Sequence, residues 1–237
     1  MYGQWILLII IIISSIPVIA VYVWFRLAKY QFKLVRFLIA LLVGAAAFFP
    51  ALVMQGLLNF PIFTGGRPEL FYHVFFRIAF TEELSRLLML LIFFYISNRI
   101  TKDSSEQPLS WIDVKKGAAI GLVAGLGFAI LENAVYAASD TRILLLRAVT
   151  AAPLHGACGS RVGTAAVMIR TNPIQALFRI IAATAIHGIY NFMAAAPGLP
   201  SIMAILVAFS ALFTAISTIH SSWTSEEKSL DKNGENQ

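Results

Sequence analysis

The chain has 237 residues, 59% of them hydrophobic and 13% charged, with a formal net charge of +6 and a mean hydropathy of +0.79. A soluble domain is nearer ~45–50% apolar and ~25% charged, so a water-soluble globule is excluded and an all-α, polytopic transmembrane helix bundle is expected. The basic residues are scattered at the ends of apolar runs, which points to anionic lipid headgroups and away from nucleic acid; the single cysteine, Cys158, excludes an internal disulfide and a cysteine-rich zinc cluster.

Seven apolar stretches are long enough to cross ~30 Å at ~1.5 Å per residue. In chain order they cover residues 5–25, 37–58, 71–97, 118–137, 143–169, 174–195 and 199–219. The first has the wrong polarity for a secretory signal. Its leader MYGQW has no basic residue, and Arg26, Lys29, Lys33 and Arg36 follow the apolar run. The first, third and fifth connections are basic, through Arg99, Lys102, Lys115 and Lys116 in the third and Arg170, with Arg179 close by, in the fifth. The second has Arg67 beside Glu69, the fourth Asp140 and Arg142, and the sixth, APGLP, no charge. The positive-inside bias then predicts an outside N-terminus and a cytoplasmic C-terminus. Residues 1–220 form the bundle, with 221–237 read as a disordered cytoplasmic tail. The chain contains no Asn-x-Ser/Thr sequon, which fits a multi-pass protein of a bacterial inner membrane.

Four of the later stretches carry polar groups inside apolar surroundings. FTEELSRLL holds Glu82, Glu83 and Arg86; FAILENAVYA holds Glu132 and Asn133; APLHGACGSRVG holds His155 and Arg161; AIHGIYNF holds His187 and Asn191. A charge at the centre of a span costs at least ~2.5–3.5 kcal/mol, and such residues are functional sites by default. One arginine cannot neutralise two carboxylates, so Arg86 pairs with Glu82 or Glu83 and the other is left for a proton, a metal or water. Arg147 and Arg161 read either as counter-charges to the carboxylates or as snorkelling residues. His73 and His220 lie at span ends. Gly117, Gly121 and Gly125 in the fourth stretch, and Gly156, Gly159 and Gly163 in the fifth, have the spacing of closely packed helices.

Two imidazoles and a carboxylate, here His155, His187 and Glu132, meet the three-ligand count of a hydrolytic Zn2+ site. Glu82 or Glu83 can then serve as general base to an attacking water, and Asn191 can donate to the developing oxyanion. HExxH and GxSxG are both missing. The same carboxylates and imidazoles would suit a proton- or cation-coupled transporter, although the chain shows neither an inverted repeat nor paired broken spans.

EELSR, FAILENAVYA, LHGACG and HGIYNF, in that order on consecutive stretches, resemble the motifs of the PrsW family of bacterial membrane proteases, distant relatives of the CAAX prenyl endopeptidase/Abi membrane peptidases. The resemblance picks out Glu82, Glu83, Glu132, His155, His187 and Asn191. Arg86 stands where the PrsW pattern has Lys, and Glu132 where the prenyl endopeptidases have His. What the resemblance implies is an intramembrane endopeptidase acting on a membrane-anchored protein, such as site-one cleavage of an anti-sigma factor.

Overall fold

The computed structural model describes residues 2–30, 32–59, 66–102, 114–140, 143–196 and 202–234. The stretches 60–65, 103–113, 141–142 and 197–201 lie outside this description, and with them the expectations for Arg142 and for the uncharged sixth connection. Among the described residues the structure is helical with no strand. Helices meet the demand that backbone groups in lipid be satisfied within their own segment.

The elements are α1 (Tyr2–Leu27), α2 (Leu34–Leu57), α3 (Gly66–Tyr72), a π-helical segment (His73–Phe80), α4 (Thr81–Lys102), α5 (Val114–Ser139), α6 (Leu144–Val149), α7 (Ala151–Met168), α8 (Pro173–Ala195) and α9 (Ile202–Gly234). Leu34–Leu57, Lys116–Ala138, Pro173–Ala195 and Ile202–Ser221 are long and apolar enough to cross a membrane, and Ile12–Leu27 is a shorter apolar helix. α9 extends into the stretch whose composition predicts a disordered tail. The Glu, Lys and Leu residues there favour helix locally.

Two expected spans are not single α-helices. In the third, the wider π segment separates α3 from α4. In the fifth, the chain breaks at Thr150 between α6 and α7, three residues before Pro153. Proline has no N–H to give the carbonyl four residues back, and its ring crowds that carbonyl. The bonds Thr150 N–H to Leu146 O, 3.0 Å, and Leu154 N–H to Thr150 O, 3.2 Å, close the backbone on either side.

α5 is the central helix. Of its apolar window 78% is buried, against 33%, 28% and 28% for the corresponding windows of α2, α8 and α9. It packs most extensively on α7 and next on α2. Glycines permit both contacts: a Cβ added at Gly121 would lie 2.1 Å from Gly159 O, and one at Gly127 2.0 Å from Leu41 O. The backbones touch where any side chain would hold them apart. Leu42, Phe49 and Leu57 on α2, with Phe178 on α8 and Phe213 on α9, remain exposed, as suits an outer surface solvated by lipid tails.

Candidate active site

Glu82 and Glu83 stand in the first turn of α4, directly after the π segment. Thr81 Oγ1 covers the junction by donating to Arg77 O at 2.7 Å and Ile78 O at 2.9 Å. α8 docks against the π segment at Gly188, where an added Cβ would come within 2.3 Å of Phe75 Cδ1. That close approach carries the neighbouring His187 to Glu83. From the other side α7 meets α5 at Gly125, whose added Cβ would lie 2.0 Å from His155 O. His155 thereby comes within reach of Glu132.

The resulting cluster is continuous and buried. Glu83, Arg86, His155 and His187 are almost wholly enclosed, and Glu82 and Glu132 nearly so. Arg86 Nη1 donates to Glu83 Oε2, and Arg86 Nη2 lies 3.2 Å from His155 Nδ1. A guanidinium can only donate, so His155 Nδ1 accepts and its proton sits on Nε2, 2.6 Å from Glu132 Oε2. The other oxygen of Glu83 lies 2.8 Å from His187 Nδ1. A carboxylate can only accept, so His187 carries its proton on Nδ1 and keeps the Nε2 lone pair free. The two imidazoles stand edge to face, their centroids 4.8 Å apart, and Phe128 packs against both His155 and the Arg86 guanidinium.

Glu82 differs from Glu83 in its commitments. Its Oε1 accepts a bond of 3.0 Å from Gln55 Nε2 on α2. Its Oε2 is buried without a hydrogen-bond partner and lies 3.8 Å from His187 Nε2. Two ligands on one tetrahedral zinc with ~2.0–2.1 Å bonds are about 3.3 Å apart, so this orphaned oxygen and the free His187 lone pair are nearly spaced for a shared cation. Glu82, His155 and His187 each present one donor atom, all within 4.8 Å of one another. Glu132 is instead tied to His155 and, through Oε2, to Arg147 Nη2 at 2.6 Å. Arg147 also donates to Asn133 Oδ1 at 3.0 Å and lies over the Tyr136 ring.

A cavity of about 180 Å3 opens onto Glu82 and Glu132, with Gln55, Phe128, Ile78 and Tyr136 also in its wall. Glu83 does not line it.

The residues singled out in the sequence thus come together. Of the two carboxylates left open as its partner, Arg86 pairs with Glu83. The group with donor atoms in mutual reach contains Glu82, where the sequence reading placed Glu132. Asn191, one turn beyond His187, is half-buried and makes none of the cluster's hydrogen bonds among the described residues. Arg147 is a counter-charge, whereas Arg161 bonds to Ala157 O and Thr214 Oγ1 elsewhere. Tyr136 stacks under Arg147. Cys158 is buried beside Ala183 O, and His73 and His220 pair with Arg77 and Tyr30 away from the site. Gln55 was missed. Its signal was present, since it is the only polar side chain in α2 after Arg36.

No curated protein and no solved structure matches the chain in the comparisons made. A family model described as PrsW family intramembrane metalloprotease matches residues 34–216, a span that includes every helix contributing to the cluster. This multi-pass helical membrane protein belongs to the PrsW family of intramembrane metalloproteases.

Proposed function

We propose that the chain is an endopeptidase of a bacterial cell membrane that hydrolyses a peptide bond in a membrane-anchored protein, an anti-sigma-factor-like regulator being the substrate class the family points to. The observation that carries this reading is the buried trio Glu82, His155 and His187, with donor atoms within 4.8 Å and the His187 tautomer set by Glu83. A carboxylate behind a ligating histidine is the usual means of orienting such a ring. These three residues would hold a divalent cation, Zn2+ by its taste for imidazole and carboxylate. When bound, that ion would polarise the substrate carbonyl and make water a stronger nucleophile. His155 keeps its Nε2 proton hydrogen-bonded to Glu132 and would join the set through Nδ1, the atom now facing Arg86.

The chain's own groups then divide the work. Glu132 shares the cavity with Glu82 and serves as general base, taking a proton as water oxygen bonds to the peptide carbon. It returns the proton to the amine as the carbon–nitrogen bond breaks. Arg86 and Glu83 hold the imidazoles in place, and Asn191 is the candidate donor to the oxyanion. Leu52, Val135 and Tyr136 on the cavity wall are exposed by 47%, 54% and 39%. An opening among such residues faces the bilayer, which suits a substrate segment arriving from the membrane.

The test is metal content and cleavage of a single-span substrate by the purified protein, with thermal stability as control. Glu82→Gln is expected to lose the cation and the activity together. Glu132→Gln is expected to keep the cation while cleavage falls about 100–10,000-fold. The reverse pattern would return Glu132 to the metal and make Glu82 the base. Wild-type cleavage by both variants would sink the peptidase mechanism.

A further inference from the structure

A second polar feature lies between α7 and α8, away from the carboxylate–imidazole cluster. Arg161, Gln175, Phe178, Arg179 and Ala182 line a cavity of about 370 Å3. The two helices are joined by the short turn at 169–172, so residues equally far from that turn lie side by side. Arg161 and Arg179 are each about 9–11 Å from the helix end at ~1.5 Å per residue. They therefore sit at one level, inside the apolar layer on the side of the α7–α8 turn.

Arg161 is held by neutral partners. Nη1 donates to Ala157 O at 2.9 Å, and Nη2 to Thr214 Oγ1 at 2.5 Å. Arg179 is half-buried and brings a second positive charge to the same space, and no carboxylate lines it. Two guanidinium groups facing one cavity in a low-dielectric layer repel each other unless an anion lies between them. A phosphate would take the fork of Arg179 and the charge of Arg161 at once, and Gln175 adds a neutral donor. Ile174, Phe178 and Ile181 are exposed on the same stretch of α8, so the surroundings are apolar. What reaches such a site is a lipid rather than a dissolved ion. Basic pockets between membrane helices are established places for anionic headgroups.

We propose that the α7–α8 cavity binds the phosphate of an anionic membrane lipid, with Arg161 and Arg179 as its charge partners and the acyl chains lying along Phe178 and Ile181.

The test uses the full chain purified in a neutral detergent, with lipid binding followed by native mass spectrometry. Phosphatidylglycerol should bind in preference to phosphatidylcholine. Arg179→Gln should weaken phosphatidylglycerol about 10–100-fold, the loss of one charge-assisted partner, and Arg179→Lys should retain most of the binding. Thermal stability without lipid should match the wild type in both variants, which separates a lost ligand from a lost fold. Equal binding of the two lipids, or equal binding of phosphatidylglycerol by wild type and Arg179→Gln, would overturn the proposal. Displacement of the lipid by millimolar inorganic phosphate alone would assign the cavity to a soluble anion and overturn the lipid assignment.

Discussion

Glu82 and Glu83 are adjacent in sequence and identical in chemistry, yet their surroundings differ. Both Glu83 oxygens are engaged, one by Arg86 and one by His187. Glu82 has one oxygen on Gln55 and the other buried without a partner. Glu83→Gln should therefore strand the Arg86 guanidinium in the core and cost about 3–5 kcal/mol, the usual result of breaking a buried pair. Glu82→Gln should leave unfolding in detergent close to wild type, because the amide oxygen still accepts from Gln55. If Glu82→Gln proves the more destabilising, the division between the two carboxylates is wrong. Arg86 also spans two partners, Glu83 and His155. A forked guanidinium reaches Glu83 and His155 together, while a single ammonium cannot reproduce that fork.

At the scale of elements, the site depends on how closely α5 and α7 approach. Gly121→Ala puts a Cβ 2.1 Å from Gly159 O, and a backbone atom cannot swing away. The helices must separate, at a cost of about 1–3 kcal/mol, and the 2.6 Å link between Glu132 and His155 lengthens with them. Cleavage should fall although no polar residue has changed. Gly56→Ala is the matched control. It lies in α2 with nothing within 4 Å of its added Cβ, so it should be neutral or stabilise by about 0.5–1 kcal/mol through helix propensity. Equal effects of the two substitutions would show that the α5–α7 contact does not hold the site together. Their sequence spacing made these glycines legible as packing residues. The carbonyl each one faces depends on the relative slide of two helices, which spacing alone does not specify.

For the whole molecule, the charge bias of the connections predicts a definite orientation. Reporter fusions after Lys33 should report the cytoplasm, and a fusion after Gly65 the outside. The opposite result would reverse the bundle and place the α7–α8 cavity in the outer leaflet. The helices follow the apolar stretches closely, because ~20 apolar residues leave the backbone in lipid no alternative to helix. The two interruptions were less legible. Pro153 foreshadowed the break at Thr150, whereas HVFFRIAF carries no residue that demands a π turn. That segment changes the register of the chain just before Glu82, so azimuths reckoned at ~100° per residue do not carry across it. Within α4 the i,i+4 and i,i+3 spacings both allow a pair, so spacing could not say which carboxylate meets Arg86.

By itself, the sequence determined the membrane character, the helical class, the four polar stretches and the family, since hydropathy, propensity and motif order are all properties of the chain read in one dimension. Only the tertiary structure decided that Arg86 takes Glu83, that Gln55 holds Glu82, that Arg147 holds Glu132, and that Glu82 stands with the two histidines. Those choices turn on the rotation and slide of each helix against its neighbours. A shift of one residue turns a helical side chain by about 100°, enough to exchange every partner in the cluster.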